Sequence, residues 1–358
     1  MVYERQFWLY NFGIKSGGRN MSKEKKFLTY NQQLRKLRDD KKIECVGAKH
    51  KPILVRSGYF NIVNGYKDPF TCGQDKEGNH IYFPNTSIEE LYTLKMFDEK
   101  LRMLLLQRIT QVEEEVRTLA GYKFDECNNE GTISWYDTKA YNSDSSIQNR
   151  MSTISAAYSQ LSNDKSDYVQ FYMKNHQQIP TWIMMKVIKF STFIHLLRCS
   201  KKEVTHSLCE LYSILDENNK PNVKLLIGSL HWMRQVRNSC AHNERIYCIS
   251  ERNNTGGKNS HKRITEKYLK QLPKSYLRVN ENKKIIDLIV YFKYYLPNKE
   301  YKELINILYD MLAELGMNIQ EKAFDRVRAQ MGIKNIEHLI DLRDMEKCDI
   351  KYNKFDTI

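Results

Sequence analysis

The sequence predicts a mostly α-helical protein: a helical bundle flanked by a small N-terminal unit of helices and loops and by a C-terminal helical extension. Three observations carry that expectation. Between Ile88 and Ala120 the apolar residues Leu91, Leu94, Phe97, Leu101, Leu104, Leu105, Ile109 and Val112 recur at the spacing of one helix face. Thr86 or Ser87 offers this run an N-cap, with Glu89 and Glu90 in the first turn. Towards the C-terminus Ile286, Ile289, Val290, Leu304, Ile307, Leu308 and Leu312 repeat the helical spacing, which suits helices docked on a central bundle.

Composition sets the bounds. A chain of 358 residues supports two or three units and a substantial core, and 41% hydrophobic with 28% charged residues reads as soluble and globular. The excess of 57 Lys and Arg over 43 Asp and Glu, a formal charge of +14, favours a polyanionic partner such as nucleic acid over an acidic small molecule. The cysteines Cys45, Cys72, Cys127, Cys199, Cys209, Cys240, Cys248 and Cys348 form no C-x-x-C pair, so neither a zinc site nor a disulfide framework is expected. No long apolar run or signal-peptide layout is present, which predicts a cytoplasmic protein with no membrane partner. The absence of a P-loop glycine pattern and of paired carboxylates argues against an NTPase, a kinase or a glycosidase. No cofactor or metal is predicted.

Along the chain, residues 1–21 read as an N-terminal extension and residues 22–85 as the small first unit. Phe27, Tyr30, Leu34 and Leu37 mark a short helix whose other faces carry Lys25, Lys26, Arg35, Lys36 and Arg38, either a solvated face or an RNA contact. A second helix ends near Leu54. The aromatic stretch Gly58–Phe70 reads as packing closed by Gly65 and Pro69, and residues 71–85 as a loop or hairpin. The core spans residues 86–250. It holds the long helix, an amphipathic helix near Ile147–Leu161, another turn or two at Tyr168–Lys174, and a deeply buried helix over Ile183–Leu197 with Pro180 in its first turn. His195 within it reads as a core or interface histidine. Lys201–Ile214 is a further helix, broken at Asn218–Pro221. Residues 251–265 form a basic linker and residues 266–358 the extension, with helices at Lys283–Tyr295, Lys299–Leu315 and Gln320–Met331 and a loose tail.

The chemistry concentrates where a helix beginning near Val223 ends: Val236-Arg237-Asn238-Ser239-Cys240-Ala241-His242-Asn243-Glu244-Arg245. Arg234, Asn238 and His242 succeed one another by a turn and form a polar stripe, while Leu226, Met233, Val236 and Cys240 supply the face to bury. Arg237 lies on the flank, roughly 140° from His242 on an ideal helix. A guanidinium is a permanently charged fork suited to phosphate, and an imidazole exchanges a proton near neutrality. Together they suit metal-independent RNA phosphodiester cleavage. The same residues also fit purely structural roles, with Arg237 paired to a neighbouring carboxylate and His242 capping the helix.

Arg237 and His242 with four residues between them resemble the signature of HEPN domains, helical nucleases and RNA-binding modules of prokaryotic conflict systems. The wider stretch Gly228–Tyr247 is similar to the C-terminal motif of the Abi-like (AbiD/AbiF) abortive-infection family. Three earlier blocks resemble the same family in the same order: Gly58–Phe70, where Asn61 replaces the family's arginine; Phe97–Glu113; and Gln178–Leu197, which lacks an acidic residue common near Met185. The resemblance covers about residues 22–250. It implies a HEPN-like bundle and a metal-independent endoribonuclease acting in antiphage defence or as an RNA-regulated toxin. His242 would be the acid/base, Arg237 the transition-state stabiliser, and Asn238 the group orienting phosphate or histidine. Arg234, Arg245, Lys258, Lys262 and Arg263 would bind RNA, with Arg102 and Glu113, and also Arg117, lining the cleft. HEPN sites usually combine two motif copies, so a homodimer is expected. The partners implied are an RNA substrate and a cognate small non-coding RNA; the rival reading is a non-catalytic module that binds such an RNA.

Overall fold

In the computed structural model of the chain, residues 27–128, 130–176, 178–251, 267–276 and 282–355 are described. Helices α1 (Tyr30–Asp39) and α2 (Gly47–Ser57) pack on each other, and α1 starts at a capping box in which Thr29 and Gln32 satisfy one another's backbone N–H groups. The aromatic stretch after α2 is indeed packing: Ile62, Val63, Tyr66 and Phe70 are buried. Of the loop or hairpin expected after it, the structure has the hairpin, β1 (Thr71–Gln74) paired antiparallel with β2 (His80–Tyr82).

Helix α3 (Ile88–Glu126) is the strut of the molecule, 39 residues and about 58 Å long at the usual rise. Ser87, not Thr86, is its N-cap, and Glu90 closes the capping box. It runs past the predicted end at Ala120 because Val116, Ala120 and Phe124 continue the buried stripe. Arg108 sits on that stripe without being apolar, since it reaches Glu300 and Glu303 at 3.1 Å each and ties the strut to the C-terminal helices.

Four helices follow: α4 (Ile147–Asn163), α5 (Asp167–Asn175), α6 (Thr181–Val187) and α7 (Phe190–Cys199). The single buried helix expected over Ile183–Leu197 is therefore two. Ile188 and Lys189 are extended between them. The break is supported from outside: Arg117 Nη1 donates to the carbonyls of Met185 and Ile188 at 2.7 and 2.6 Å, and Gln160 Oε1 accepts from the Lys189 backbone N–H. His195, expected in a core or interface, is exposed on α7.

Then come α8 (Lys202–Leu211), α9 (Val223–Ala241), α10 (Ile285–Tyr295), α11 (Asn298–Asn318), α12 (Glu321–Met331) and α13 (Glu337–Asp344). Helices α2, α6, α7, α8, α9 and α11 all lie against α3, and α9 also touches α7, α8 and α10. Helix α10 is buried on every face. The predicted docking positions are buried save Ile307, which is 38% exposed. Helix α13 escaped the sequence reading because it contributes only Leu339 and Leu342 to the core. All eight cysteines are free, and no described helix is long and apolar enough to cross a membrane.

Candidate functional site at the end of helix α9

Helix α9 starts where the Asn222 side chain accepts from the Leu225 N–H, and it buries Leu226, Leu230, Met233, Val236 and Cys240, as the spacing demands. His242 is its C-cap, donating its backbone N–H to the Asn238 carbonyl. Asn243 turns the chain away with a φ of 55°, in the left-handed region that asparagine tolerates. His231, Arg234, Asn238 and His242 follow one another at steps of three and four residues, so they share one ridge; the first three are half-buried and His242 is exposed. The predicted polar stripe exists.

Arg237 leaves that ridge. Its Nε lies 3.6 Å from Glu113 Oε2 on α3, and its Nη1 donates to Asn238 Oδ1 at 3.2 Å. The other oxygen of Glu113 accepts from Arg117 Nη2 at 2.5 Å. Burial pulls the Arg117 guanidinium below its ordinary value and Glu113 opposes that shift. Arg117 also lies over the rings of Phe193 and Phe190, at 5.4 and 5.7 Å. Glu113 thus bridges a structural arginine and an accessible one: its side chain is 10% exposed, that of Arg237 37%. These residues line a cavity of about 610 Å³ with Trp182, Lys186 and Lys189. Arg117, Arg237, Lys186 and Lys189 outnumber Glu113 and Glu114 in its lining, which leaves net positive charge there.

The placement corrects several expectations. Arg102 does not face Arg237. It is buried against Asp98 at 2.7 Å and donates to the Glu244 carbonyl at 3.1 Å. Arg245 is engaged rather than held out for phosphate: it donates to the Gly65 carbonyl and lies 3.5 Å from Asp68. Arg102 and Arg245 border a different cavity, of about 640 Å³, shared with Arg56, Lys95 and Asn243. His242 lines neither cavity, as the angular offset between positions 237 and 242 dictates. The Asn238 side chain accepts from Arg237, and only the Asn238 backbone carbonyl meets His242, at its backbone N–H. Lys258, Lys262 and Arg263 lie outside the described residues.

Sequence reasoning missed the residue that organises this end of the molecule. Asp98, fully buried on α3, accepts from the backbone N–H groups of Ile246 and Tyr247 at 2.9 and 2.8 Å, from Tyr66 Oη at 2.9 Å and from Arg102. One carboxylate therefore fastens the segment leaving the motif to α3 and to the aromatic stretch. The signal was present: Asp98 is four residues after Leu94 and three before Leu101, an acid on the apolar stripe. Among the described residues no group of three or more His, Cys, Asp or Glu side chains is arranged to hold a metal ion.

His231, on the same ridge, has a measurable consequence. Burial first, and then the charges of Arg234, His195 and Arg198, hold its imidazole down to about 4. Between that value and the ordinary 6.5 the unfolded chain binds a proton that the native state refuses, so stability falls as pH drops through this window. Thermal unfolding of the wild type should show that acid-side loss, and His231→Gln should flatten it. Equal slopes in both proteins would contradict the assignment.

No curated protein and no solved structure matches this chain. The family model described as Abi-like protein matches residues 52–248, which take in the aromatic stretch, Asp98, Glu113, the α6 and α7 pair, and all of α9 with its cap. The match ends just beyond the segment that Asp98 fastens. It spans more than half of the sequence, and the chain belongs to the Abi-like protein family.

Proposed function

We propose that this protein is a HEPN-type, metal-independent endoribonuclease acting in abortive-infection antiphage defence or as an RNA-regulated toxin. The Abi-like family is associated with abortive infection. One observation supports the enzymatic reading above the others: Arg237 is aimed by Glu113 yet remains 37% exposed at a cationic cavity, five residues before an exposed histidine on the same helix end.

His242 takes the proton of a ribose 2′-hydroxyl, whose oxygen attacks the adjacent phosphorus; the bond to the 5′-oxygen breaks, and that oxygen leaves with a proton returned by an imidazole. Arg237 donates to the non-bridging oxygens as their charge grows. Asn238 Oδ1 is occupied by Arg237, so its amide N–H groups are the ones that orient phosphate. Arg234, a turn earlier, holds a neighbouring phosphate. Within one chain Arg237 and His242 face different sides, which favours a homodimer in which two motifs complete one cleft.

Such chemistry leaves fragments ending in a 2′,3′-cyclic phosphate, and a 2′-deoxy nucleotide at the cut position should block it. Substrate cut normally at the 2′-deoxy position would refute the mechanism. A second reading, a module that binds a small non-coding RNA without cutting it, is favoured by the Glu113 pairing of Arg237 and the capping position of His242. It predicts salt-sensitive RNA binding and no fragments at all.

A further inference from the structure

The ridge of α9 that ends at His242 begins, about 16 Å lower at the helical rise, in a second cluster of basic side chains. The ring of His231 stands edge-on to that of His195 on α7, with centroids 6.4 Å apart and planes at 79°. Arg234 lies a turn above His231, and Arg198 a turn along α7 from His195. Both arginines act electrostatically on both imidazoles, and no carboxylate of the described residues is among the neighbours acting on either ring. Lys283 adds to the field at His231, although Glu251 pairs with it at 2.7 Å. Arg234 is half-buried and, among the described residues, no acid offsets its desolvation and its Nε is enclosed without a hydrogen-bond partner. His195 and Arg198 are exposed and open onto a separate cavity of about 330 Å³, whose walls include Ser145, Asn149, Ser152, Thr153 and Thr192.

Two guanidiniums that no carboxylate of the described residues pairs with repel one another and weaken the folded state, and the imidazole of His231, neutral near pH 7, adds a hydrogen-bonding group rather than a charge. An anion supplies the missing charge. Phosphate suits the surroundings, since guanidinium forks fit its oxygens and the hydroxyl and amide walls offer uncharged donors for the remainder. The cluster is also continuous with the motif through Arg234 and Asn238, so a phosphate held there can belong to the strand that passes His242.

We propose that His195, Arg198, His231 and Arg234 form a second phosphate subsite that grips the RNA backbone a few nucleotides from the bond presented to His242. This rests on the reading of the chain as an RNA-acting protein. The subsite makes α7 part of the RNA path and sets a minimum length for tight binding.

The test uses the full chain and a fluorescein-labelled single-stranded RNA carrying 2′-O-methyl groups throughout, so that it cannot be cut, titrated by anisotropy over a range of salt concentrations. The double variant His195→Gln/Arg198→Gln should bind about tenfold more weakly at fixed salt, and the slope of log K against log salt should fall by roughly 0.7 for each phosphate that is no longer neutralised. Arg198→Lys should keep the slope. Lys299→Gln/Lys302→Gln, which removes exposed charge from α11, should keep it too. Wild-type slope in the His195/Arg198 double variant would overturn the subsite while leaving the RNA reading intact. Absence of salt-sensitive binding by the wild type would overturn both.

Discussion

Asp98→Ala is expected to cost about 3–5 kcal/mol of stability, the range for breaking a buried ion pair by removing one partner. The carboxylate is fully buried and satisfies four donors: Tyr66 Oη, Arg102 Nη1 and the backbone N–H groups of Ile246 and Tyr247. Alanine leaves the buried Arg102 guanidinium with only the more distant Glu99 carboxylate, at 3.8 Å, and strands two main-chain donors beneath the segment that follows His242. Asp98→Asn should cost less, about 1–3 kcal/mol, because one amide oxygen survives as an acceptor while the charge opposite Arg102 is lost. Denaturant unfolding reads both values. A loss below about 1 kcal/mol for the alanine variant would show that the segment is held by other means.

Arg237→Ala should lower the rate of RNA cleavage by about 10²–10³, the usual consequence of removing one donor to a developing oxyanion. Stability should change little, since the side chain is more than a third exposed and its ion pair is long. Arg237→Lys should restore little activity, because an ammonium cannot present two parallel donors to a phosphate. Glu113→Gln separates the catalytic role from the structural one. It removes the partner of buried Arg117 as well as the group that aims Arg237, so it should lower both stability and rate. If Arg237 served only to pair with Glu113, its alanine variant would cut RNA at the wild-type rate. Mixing Arg237→Ala with His242→Ala protein interrogates the composite cleft, where heterodimers carrying one intact Arg237 and one intact His242 should regain activity.

Much of the fold was legible because it rests on long periodic runs. Helix α3 announced itself through its apolar stripe and the choice of Thr86 or Ser87 as N-cap before Glu89 and Glu90, and α9 through Leu226, Met233, Val236 and Cys240. The break at Ile188 was not legible. Both flanks are apolar, and the groups that make an extended pair tolerable there, Arg117 and Gln160, come from other helices. The site divides in the same way. Local spacing put Arg234, Asn238 and His242 on one ridge and set Arg237 apart, and of the cleft expected opposite Arg237 and His242 the geometry brings Glu113 and Arg117 to Arg237 alone. Tertiary partners decided the rest: Arg102 and Arg245 look like free cations in sequence, but Asp98, Gly65 and Asp68 claim them. The cluster on α7 and α9 needed the packing of two helices to become visible at all.

The most direct measurement is cleavage of end-labelled RNA by wild type and His242→Ala side by side in excess EDTA, after removal of co-purified nucleic acid and with circular dichroism confirming equal folds. The account predicts fragments from the wild type and none from the variant, with RNA binding retained by both. Equal cleavage by the two proteins, or tight RNA binding with no cleavage by either, would contradict a ribonuclease centred on His242.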